Sequence, residues 1–596
     1  ERKELMFEMN YIKDNSCADF SEPLNVTNIQ NYNPIYNLFF KLNESNYNNI
    51  QLNEQFKLQQ IKNRVNHNCF SCELQTTDTS IITNKDMFIK FSPIIDPTKY
   101  LIGKYNTENN DLFSLPSITE SNDIISNKKN AYNNSAYTDG FFSFLSSKLL
   151  HKHDVLNAND YYGSFIANQK DFRYNVFDDI EYLCESDFFH DNKDVLFTLD
   201  EAFYDEADNN DSRNNKKKIQ INNNNNISLK SVEAFSDEIY DNIFTSCSTE
   251  SECINNDDNS KLDEKLVEDI SPTEHSLSSI NLNKLSNSRG SCKTCSSHSS
   301  SCSSRTSVTD NNDNESMSGS DIESLNDMSS CESDESEEDE NIYAYIPDFP
   351  VNIIALEKCT DTLDAYMMDD DVSDKEWSAL LMQVIFTLLI YQKTFSFTHN
   401  DLHTNNIMYI ETDRQFMYYN FAGKFYKVPT FGKIWKIIDF GRAIYKYNNQ
   451  VICSDCFGKN GDADGQYNCE PFFNDSKPRL ETNMSFDLCR LGCSLFDFFV
   501  DDIVSMKRGK LSPIERIIVD WCYDDNNKNI LYKKSGEERY PEFKLYKMIA
   551  RNVHKHTPEQ QLEHDVFIEF QVTKKKLNSS ALKKIMYIDN LPNYSL

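Results

Sequence analysis

The 596-residue sequence has few basic residues, and this shortage excludes one class of protein. Sixty Lys and Arg residues stand against 94 Asp and Glu residues, which gives a net charge of −34 and a pI near 4.7. A protein that binds nucleic acid passively needs a basic face to displace counterions from phosphates, so direct nucleic-acid binding is not expected. The acidic excess is typical of a solvated surface.

Segments that would direct the chain to a membrane or to secretion are also missing. The longest apolar stretch, near Leu380 to Ile390, is too short for a bilayer and contains Gln383 and Thr387. No charged segment followed by an apolar core opens the sequence, so secretion is not indicated. The 17 cysteines are odd in number and scattered, which favours a reduced, intracellular protein.

Glycine is scarce at the start of the chain, and hydrophobic residues are scarce throughout. The first glycine is Gly103, so a G-x-G-x-x-G loop, whose bare backbone cradles phosphates, is excluded from everything before it. Hydrophobic residues make up 39% of the chain, and the mean hydropathy is −0.63. Because both values are low, much of the chain is expected outside any packed core.

Composition divides the chain into ordered and disordered segments. Residues 205–341 are dominated by Asn, Ser, Asp and Glu and contain the acidic run SSCESDESEEDE near their end. Because aromatic residues nearly vanish there, the segment cannot bury enough apolar area to offset its conformational entropy, and we expect a disordered acidic insertion. Order is expected over 1–204 and 342–575, followed by a polar, Lys-rich tail at 576–596.

The second ordered block has a readable succession of strands and a helix. Residues 351–356 (VNIIAL) predict a buried strand that leads into Glu357 and Cys359. A capping box at 373–376 is followed by apolar residues at helical spacing, which predict a central buried helix. Further strands are predicted at 407–410 and 435–440.

Two polar motifs interrupt these apolar elements and carry the chemistry. The first, HNDLHTNN at 399–406, has the form H-x-D-x-x-x-x-N, and the second is D-F-G at 439–441, where a strand ends. Phosphoryl transfer needs groups that orient a hydroxyl and hold metal ions, and an Asp, an Asn five residues later and a second Asp can supply them. The two motifs together therefore predict phosphoryl transfer.

With both motifs in this order, the sequence resembles the protein kinase superfamily. A third string, DLCRLG at 487–492, has the D-x-x-x-x-G pattern of a large-lobe helix in that superfamily. The resemblance implies an α+β, bilobal protein kinase-like fold with a β-rich small lobe and a mainly helical large lobe. It places an N-terminal extension and the first part of the small lobe in 1–204, the last small-lobe strand in 342–356, and the large catalytic lobe in 357–575.

The resemblance and the chemistry of each side chain imply roles for the motif residues. Asp401 would accept a hydrogen bond from the attacking hydroxyl and, late in transfer, its proton. Asn406 and Asp439 would ligate Mg²⁺ and so hold ATP, since hard oxygen ligands suit that ion. The residues expected to have structural roles are His399, Phe440, Gly441 and Asp487, the last as a cap on the backbone of the catalytic loop.

The remaining nucleotide-binding residues are expected on one strand and at the hinge between the lobes. Lys90, in the strand segment MFIKF at 87–91, resembles the lysine of V-A-I-K strands, which holds the α- and β-phosphates of ATP. Glu357 and Cys359 occupy the hinge. The helix predicted at 141–151 would normally provide a glutamate partner for the lysine, but it contains none, and Asp139 is the nearest acid.

Three departures from the kinase pattern leave the acceptor open. The glycine-rich loop is missing, Asn400 replaces the arginine usual before the catalytic aspartate, and His403 replaces the lysine often found two residues after it. We include His403 among the catalytic candidates. The D-x-H pattern also occurs in small-molecule phosphotransferases of the aminoglycoside and choline kinase type and in haspin-like protein kinases.

Two groups of cysteines have spacings that suggest a metal. Cys453, Cys456 and Cys469 follow the D-F-G motif, but no fourth ligand lies nearby at a spacing suitable for zinc. A second set of Cys and His at 292–302 lies in the Ser-rich insertion, where compositional chance explains it. Serines flanked by acids in the same insertion, such as Ser333, resemble acceptors for acid-directed kinases.

The strings FIKFSP, YGSF, HNDLHTNN and SFDLCRLG together resemble the divergent serine/threonine protein kinases of large DNA viruses of eukaryotes. The resemblance implies an enzyme that uses ATP and Mg²⁺ to phosphorylate Ser or Thr of protein substrates, in the host cytoplasm or the virion, without membrane association. The alternatives are a pseudokinase that acts as a scaffold or virion component and a small-molecule phosphotransferase.

Overall fold

The computed structural model describes residues 6–13, 20–107, 109, 111–118, 124–200, 203, 342–369, 372–500, 503–504 and 506–596. All of them fall within one structural unit, formed by Glu1–Glu206 and Cys292–Leu596. The predicted insertion, with its cysteines and acid-flanked serines, lies outside the described residues. Within them the fold is a mixed α+β architecture with several separate sheets.

The elements are numbered in chain order among the described residues. The strands are β1 (Tyr11–Lys13), β2 (Val26–Gln30), β3 (Ile50–Leu52), β4 (Phe56–Arg64), β5 (Cys69–Thr76), β6 (Ile82–Pro93), β7 (Tyr161–Asn175), β8 (Thr198–Leu199), β9 (Tyr343–Glu357), β10 (Asp361–Thr362), β11 (Ile407–Glu411), β12 (Phe416–Phe421), β13 (Lys424–Pro429), β14 (Lys433–Ile437), β15 (Ile444–Tyr447), β16 (Gln450–Cys453), β17 (Gln571–Val572) and β18 (Ile585–Tyr587). The α-helices are α1 (Pro97–Leu101), α2 (Ile124–Asn130), α3 (Ser135–His153), α4 (Ile180–Cys184), α5 (Asp187–Asn192), α6 (Leu363–Asp369), α7 (Asp374–Phe395), α8 (Phe486–Phe499), α9 (Pro513–Trp521), α10 (Lys544–Asn552), α11 (Pro558–Gln561), α12 (Asp565–Ile568) and α13 (Ser579–Leu582).

The largest sheet is antiparallel, with the strand order β2-β7-β9-β6-β5-β4 and the short β8 also paired to β9. Its long central pair, β7 and β9, consists of strands of 15 residues each. The strand predicted at 351–356 therefore forms only the end of a longer one, because pairing with β7 continues as far as Asn175 and Tyr343. On the other side β9 pairs with β6, where Lys90 lies opposite Ile354.

Helix α3 packs on this sheet and is buried on nearly all its faces. It begins after Asn134, whose side chain accepts a hydrogen bond from the Ala136 amide, and ends at Asp154, which has a left-handed backbone. These caps satisfy backbone groups that a helix leaves unpaired at its ends. Because the helix starts at Ser135, before the predicted 141–151, Asp139 lies in its second turn.

The helical part of the structure is built around α7, which begins where the sequence predicts it. The Ser373 side chain accepts a hydrogen bond from the Glu376 amide and so caps the first turn. Among the described helices, α7 alone has the length and apolar composition of a membrane span, but 89% of its apolar window is buried within the protein. This burial is what the sequence predicts for a central core helix.

A small four-stranded sheet explains two segments whose roles are not evident from the sequence. The aromatic hairpin β12–β13 lies between β17 and β18 in the order β17-β13-β12-β18. The segment 576–596, which the sequence predicts as a tail, contains β18 and, two residues before its end, the buried Tyr594. Tyr594 Oη lies 2.6 Å from His153 Nε2 and accepts a hydrogen bond from the Phe7 amide at 3.1 Å.

Candidate functional site

The loop between α7 and β11 carries the first motif and is fixed from below by a buried carboxylate. Asp487, in the first turn of α8, accepts hydrogen bonds from the backbone amides of His399 and Asn400, both at 2.9 Å. Burial raises the pKa of Asp487, while His399 and the two amides lower it. An acid 88 residues away in the chain thus satisfies the donors of a loop that has no regular backbone pairing.

His399 links the two motifs. Its Nε2 donates to the carbonyl oxygen of Ile438 at 2.9 Å, and its Nδ1 accepts from the Asp401 amide at 3.3 Å, so the neutral tautomer is defined by its partners. The ring also packs against Phe440, which is buried beside Phe142 of α3 with a centroid separation of 4.6 Å. These packed rings join the loop that carries the first motif to α3.

Asn406 and Asp439 are brought to adjacent positions by strand pairing. β11 and β14 pair with Ile407 opposite Ile437, and the Ile438 amide extends the ladder by donating to the Asn406 carbonyl at 3.1 Å. The Asn406 Nδ2 donates to the Asp401 carbonyl oxygen, which turns the amide oxygen to the opposite side of the group. Carboxamide and carboxylate oxygens are the donor types that suit Mg²⁺.

Two residues of the motifs have strained backbones. Asp439 has φ +62° and Asn400 has φ +65°, in the left-handed region that non-glycine residues rarely adopt. The Asn400 side chain is buried and fully engaged: its Nδ2 donates to the Arg442 carbonyl oxygen, and its Oδ1 accepts from the Tyr467 hydroxyl at 2.8 Å. Strain of this kind persists only where surrounding contacts over-determine it, and it is common at functional sites.

Lys90 reaches from the sheet to the D-F-G motif and holds two carboxylates. Its Nζ lies 2.7 Å from Asp139 Oδ2 and 2.9 Å from Asp439 Oδ1, with only 4% of the lysine side chain exposed. Burial lowers the pKa of Lys90, but the two carboxylates outweigh burial and raise it, so the ammonium stays charged. Asp139 also accepts from the Phe440 amide at 3.0 Å, and it thus provides the acid that the sequence shows no glutamate to supply.

Asp401 lies in a network of groups from distant parts of the chain. The Tyr546 hydroxyl, on α10, donates to its Oδ1 at 2.7 Å, and Arg442 Nη1 lies 3.9 Å from its Oδ2. Burial alone would raise the pKa of Asp401. The groups that outweigh burial and hold this pKa well below its usual range are, in order of effect, Arg442, His403, Arg490 and Tyr546.

His403 lies close to the Asp401 carboxylate, but its ring carries no charge that could balance that of the carboxylate near pH 7. Burial lowers the pKa of His403 to about 4, with Arg490 and His399 adding to the effect, so the ring is neutral near pH 7. Its Nε2 accepts a hydrogen bond from Asn406 Nδ2 at 3.0 Å. A neutral imidazole at this position cannot supply the positive charge that a lysine there would bring.

Glu357 and Cys359 lie where β9 leaves the large sheet for the helical part. The Glu357 side chain is paired with buried Lys436 of β14 at 2.5 Å. A ligand at this point would therefore contact the Glu357 backbone. Burial raises the pKa of the Cys359 thiol to about 12, so this buried side chain is uncharged near pH 7. The structure places Glu357 opposite Met87 on the strand that carries Lys90.

The turn between β4 and β5 contacts the strand that carries Lys90. An asparagine side chain, not a glycine backbone, organises this turn. Asn66 Oδ1 accepts from the amides of Asn68 and Cys69, at 3.1 and 2.7 Å. The Asn68 carbonyl oxygen in turn accepts from the Ile89 amide of β6. Two amides that a glycine-rich loop could present to a phosphate are therefore bound within the hairpin.

The three cysteines after the D-F-G motif are buried as thiols. Burial raises the pKa of Cys453, and raises those of Cys456 and Cys469 to about 12 and 11. Within the described part of the chain, no group of three or more His, Cys, Asp or Glu residues is arranged to hold a metal ion.

The structure brings together Lys90, Asp439, Asn406, Asp401 and His403 around one site. Sequence reasoning did not select Arg442, Arg490 or Tyr546, although all three contact or face Asp401. Arg442 had a weak signal, since it directly follows the D-F-G motif. Tyr546 had none, because it lies 145 residues from Asp401 in the chain.

Comparison with known proteins adds one short similarity. No protein-family model matches the chain. A stretch of 106 residues is 24% identical to an uncharacterized protein of Caenorhabditis elegans, covering 16% of this chain and 36% of that protein. The match therefore spans about a third of the relative's length.

Proposed function

We propose that the protein is an ATP-dependent serine/threonine protein kinase. The observation that carries the proposal is the buried bridge in which Lys90 joins Asp139 of α3 to Asp439 of the D-F-G motif. In protein kinases a lysine on the third strand pairs with an acid on the adjoining helix, and the D-F-G aspartate holds Mg²⁺. Lys90 lies on β6, the third strand of the β4-β5-β6 meander, and Asp139 takes the place of the usual glutamate.

The arrangement of elements supports a bilobal kinase-like fold. The large sheet with α3 would form the small lobe, β9 would lead through Glu357 and Cys359 to the large lobe, and α6–α13 would form most of the latter. In this interpretation ATP binds between the lobes, where its phosphates reach Lys90 and its metal reaches Asn406 and Asp439. We extend the same proposal to a relationship with the divergent kinases of large eukaryotic DNA viruses.

Each side chain of the site has one role in the proposed reaction. Asp401, held ionised, accepts the hydrogen bond of an acceptor hydroxyl and orients its oxygen for in-line attack on the γ-phosphate. Mg²⁺ held by Asn406 and Asp439 would balance the charge on the phosphates. The neutral His403 positions Asn406 through their hydrogen bond.

A pseudokinase scaffold is the second candidate, and one observation favours it. The β4–β5 hairpin uses its own amides to bind Asn66, which leaves the phosphates of a nucleotide with fewer backbone donors than a glycine-rich loop provides. Weak nucleotide binding would then be expected.

Phosphate transfer to protein tests the proposal. The purified chain is incubated with Mg²⁺ and radiolabelled ATP, with histone as a basic acceptor and casein as an acidic one, and the labelled amino acid is identified after hydrolysis. We expect phosphoserine or phosphothreonine, on an added protein or on the chain itself. Asp401→Asn should lower the rate by about 10²–10⁴-fold, the usual contribution of a positioned general base.

The matched control is Asp413→Asn, which changes an exposed aspartate in the turn after β11 and should leave the rate unchanged. Label on a metabolite and none on protein would replace the proposal with a small-molecule phosphotransferase. Absence of both transfer and nucleotide binding would favour the scaffold.

A further inference from the structure

Asp401 has two carboxylate oxygens, and they have different surroundings. Oδ1 accepts a hydrogen bond from the Tyr546 hydroxyl at 2.7 Å. The cation that faces Oδ2 is Arg442, whose Nη1 lies 3.9 Å away, beyond hydrogen-bonding distance. One oxygen is therefore engaged by a protein group, while the other faces a charge without being bound by it.

The direction of the hydrogen bond to Oδ1 is fixed by a second arginine. Arg490 Nε, on α8, lies 2.9 Å from the Tyr546 oxygen. Because a guanidinium has donors and no acceptor, the phenol oxygen must accept from Arg490. The phenol proton is then directed to Asp401, and the three groups form a chain from Arg490 through Tyr546 to Asp401.

Packing holds the tyrosine ring in this place. Tyr546 is 5% exposed, and the guanidinium groups of Arg442 and Arg490 lie 5.6 and 5.2 Å from its ring centroid. Phe543, one turn earlier, stacks on the same ring at 5.2 Å. The stacked phenylalanine and the nearby Arg442 cation stabilise the position of the ring, while Arg490 binds the hydroxyl.

From this geometry we infer that Tyr546 is a positioning residue for phosphate transfer, which fixes the Asp401 carboxylate so that Oδ2 receives the acceptor hydroxyl. The inference rests on the proposed function. Without the phenol, the carboxylate can rotate about its χ2 torsion, and the fraction of molecules with an oxygen aimed at the acceptor falls. Arg490 acts one step further out, by orienting the phenol.

The test compares Tyr546→Phe with wild type in the full chain, using Mg-ATP and whichever of histone or casein the wild type labels. The ring and its packing remain, so the variant should fold with an unchanged melting temperature to within a few degrees. We expect kcat to fall about 10- to 100-fold, the range for losing a hydrogen bond to a charged group. The KM for Mg-ATP should stay within about twofold, because Tyr546 does not face Lys90 or Asp439.

Tyr532→Phe is the matched control. Its hydroxyl donates to a different aspartate, Asp497, at 2.8 Å from each carboxylate oxygen. This variant should keep the wild-type kcat. Arg490→Met should lower kcat like Tyr546→Phe, and the double variant should be no slower than the worse single one, because both remove one chain of contacts.

Fluorine NMR tests the contact between Tyr546 and Asp401 independently of activity. A fluorinated tyrosine placed at position 546 should show a fluorine NMR shift that changes with Asp401→Asn and not with Asp497→Asn. An unchanged or higher kcat in Tyr546→Phe would overturn the inference. A higher kcat would show that the Tyr546 hydroxyl inhibits transfer. A wild-type chain that transfers no phosphate would instead overturn the proposed function, even with the fluorine shift as expected.

Discussion

At the scale of single residues, the proposed site depends on a lysine that holds two buried carboxylates. Removing one partner from a buried ion pair is strongly destabilising where the remaining charge is left without compensation. Lys90 keeps Asp439 when Asp139 is lost, so the effect of that loss should be moderate. The Phe440 amide would also lose its acceptor.

We therefore expect Asp139→Ala to lower the free energy of unfolding by roughly 1–3 kcal/mol, the cost of an unsatisfied buried donor. It should also weaken Mg-ATP binding, because Lys90 would no longer be held toward the phosphates. Chemical denaturation and nucleotide titration measure the two effects. Asp497→Ala, at a half-buried aspartate bound to Tyr532, serves as control and should change stability without changing nucleotide affinity.

A second residue-scale prediction concerns Glu54, which is 2% exposed. Burial raises the pKa of Glu54 from 4.5 to about 7, although Gln51 donates a hydrogen bond to it and Lys148 lies nearby. The folded state therefore binds a proton that the unfolded chain releases between these values. The free energy of unfolding should fall as pH rises through this interval, and level off above it.

Glu54→Gln removes this dependence, because an amide is neutral throughout. Relative to wild type, the variant should gain stability between about pH 5 and pH 7.5, by up to about 3 kcal/mol. Urea denaturation at both pH values measures the difference. Parallel stability curves for the two proteins would contradict the assignment of a protonated Glu54.

The residues that form motifs could be predicted from the sequence, but the residues that contact them from distant segments could not. Asp401, Asn406 and Asp439 are recognisable because the spacing within a loop or at a strand end is local. Asp139 was visible as the nearest acid, but the start of α3 decides whether it points at Lys90. The Tyr546 contact depends on the packing of α10, which no local pattern encodes.

At the scale of elements, α3 is held against the rest of the protein by the described N-terminal residues 6–13 and 20–55. The Asn53 carbonyl oxygen accepts from Lys148 Nζ at 2.6 Å, and Phe39 stacks on Phe141 with a centroid separation of 5.0 Å. Phe7 packs on Tyr594 near the C-terminal end of the helix. Since α3 carries Asp139, these residues support the ion pair with Lys90.

We predict that Phe39→Ala loosens α3 and lowers the rate of phosphate transfer. Because Phe39 is half-buried, the loss of stability should be about 1–3 kcal/mol, less than for a fully buried phenylalanine. Hydrogen exchange of the α3 amides should accelerate. Phe473→Ala, at a half-buried ring beside Arg479, is the control and should leave exchange in α3 unchanged.

Elements were predictable where one segment carries its own pattern. The central helix α7 and the end of β9 follow from apolar periodicity and a cap. The full length of β9 does not, because its first half is a strand through pairing with β7. The sheet β17-β13-β12-β18 could not be foreseen, since strands of two to six residues pair across about 150 positions of chain.

At the scale of the whole molecule, the described segments that flank the predicted insertion lie close together. The Asp200 amide donates to the Tyr343 carbonyl oxygen, and the Tyr343 amide donates to the Asp200 carboxylate at 2.7 Å. β8 and β9 also pair here, Thr198 opposite Tyr345. The chain thus leaves and re-enters the described fold at nearly the same point.

Excision of the insertion should therefore be tolerated. We expect a chain in which residues 205–341 are replaced by a short Gly-Ser linker to fold with nearly unchanged stability, because a shorter loop costs little closure entropy. Circular dichroism and denaturation measure the fold, and transfer to an added protein measures activity. Loss of cooperative unfolding would show that the insertion contributes to the core.

We propose that one site binds Mg-ATP through Lys90, Asn406 and Asp439 and transfers phosphate with the help of Asp401. The most direct test is a single-turnover experiment in which nucleotide binding and phosphate transfer are followed in the same samples. Asp401→Asn should bind Mg-ATP with wild-type affinity and transfer phosphate about 10²–10⁴-fold more slowly, whereas Asp439→Asn should lose Mg-dependent binding itself. Transfer by Asp401→Asn at the wild-type rate would contradict the account.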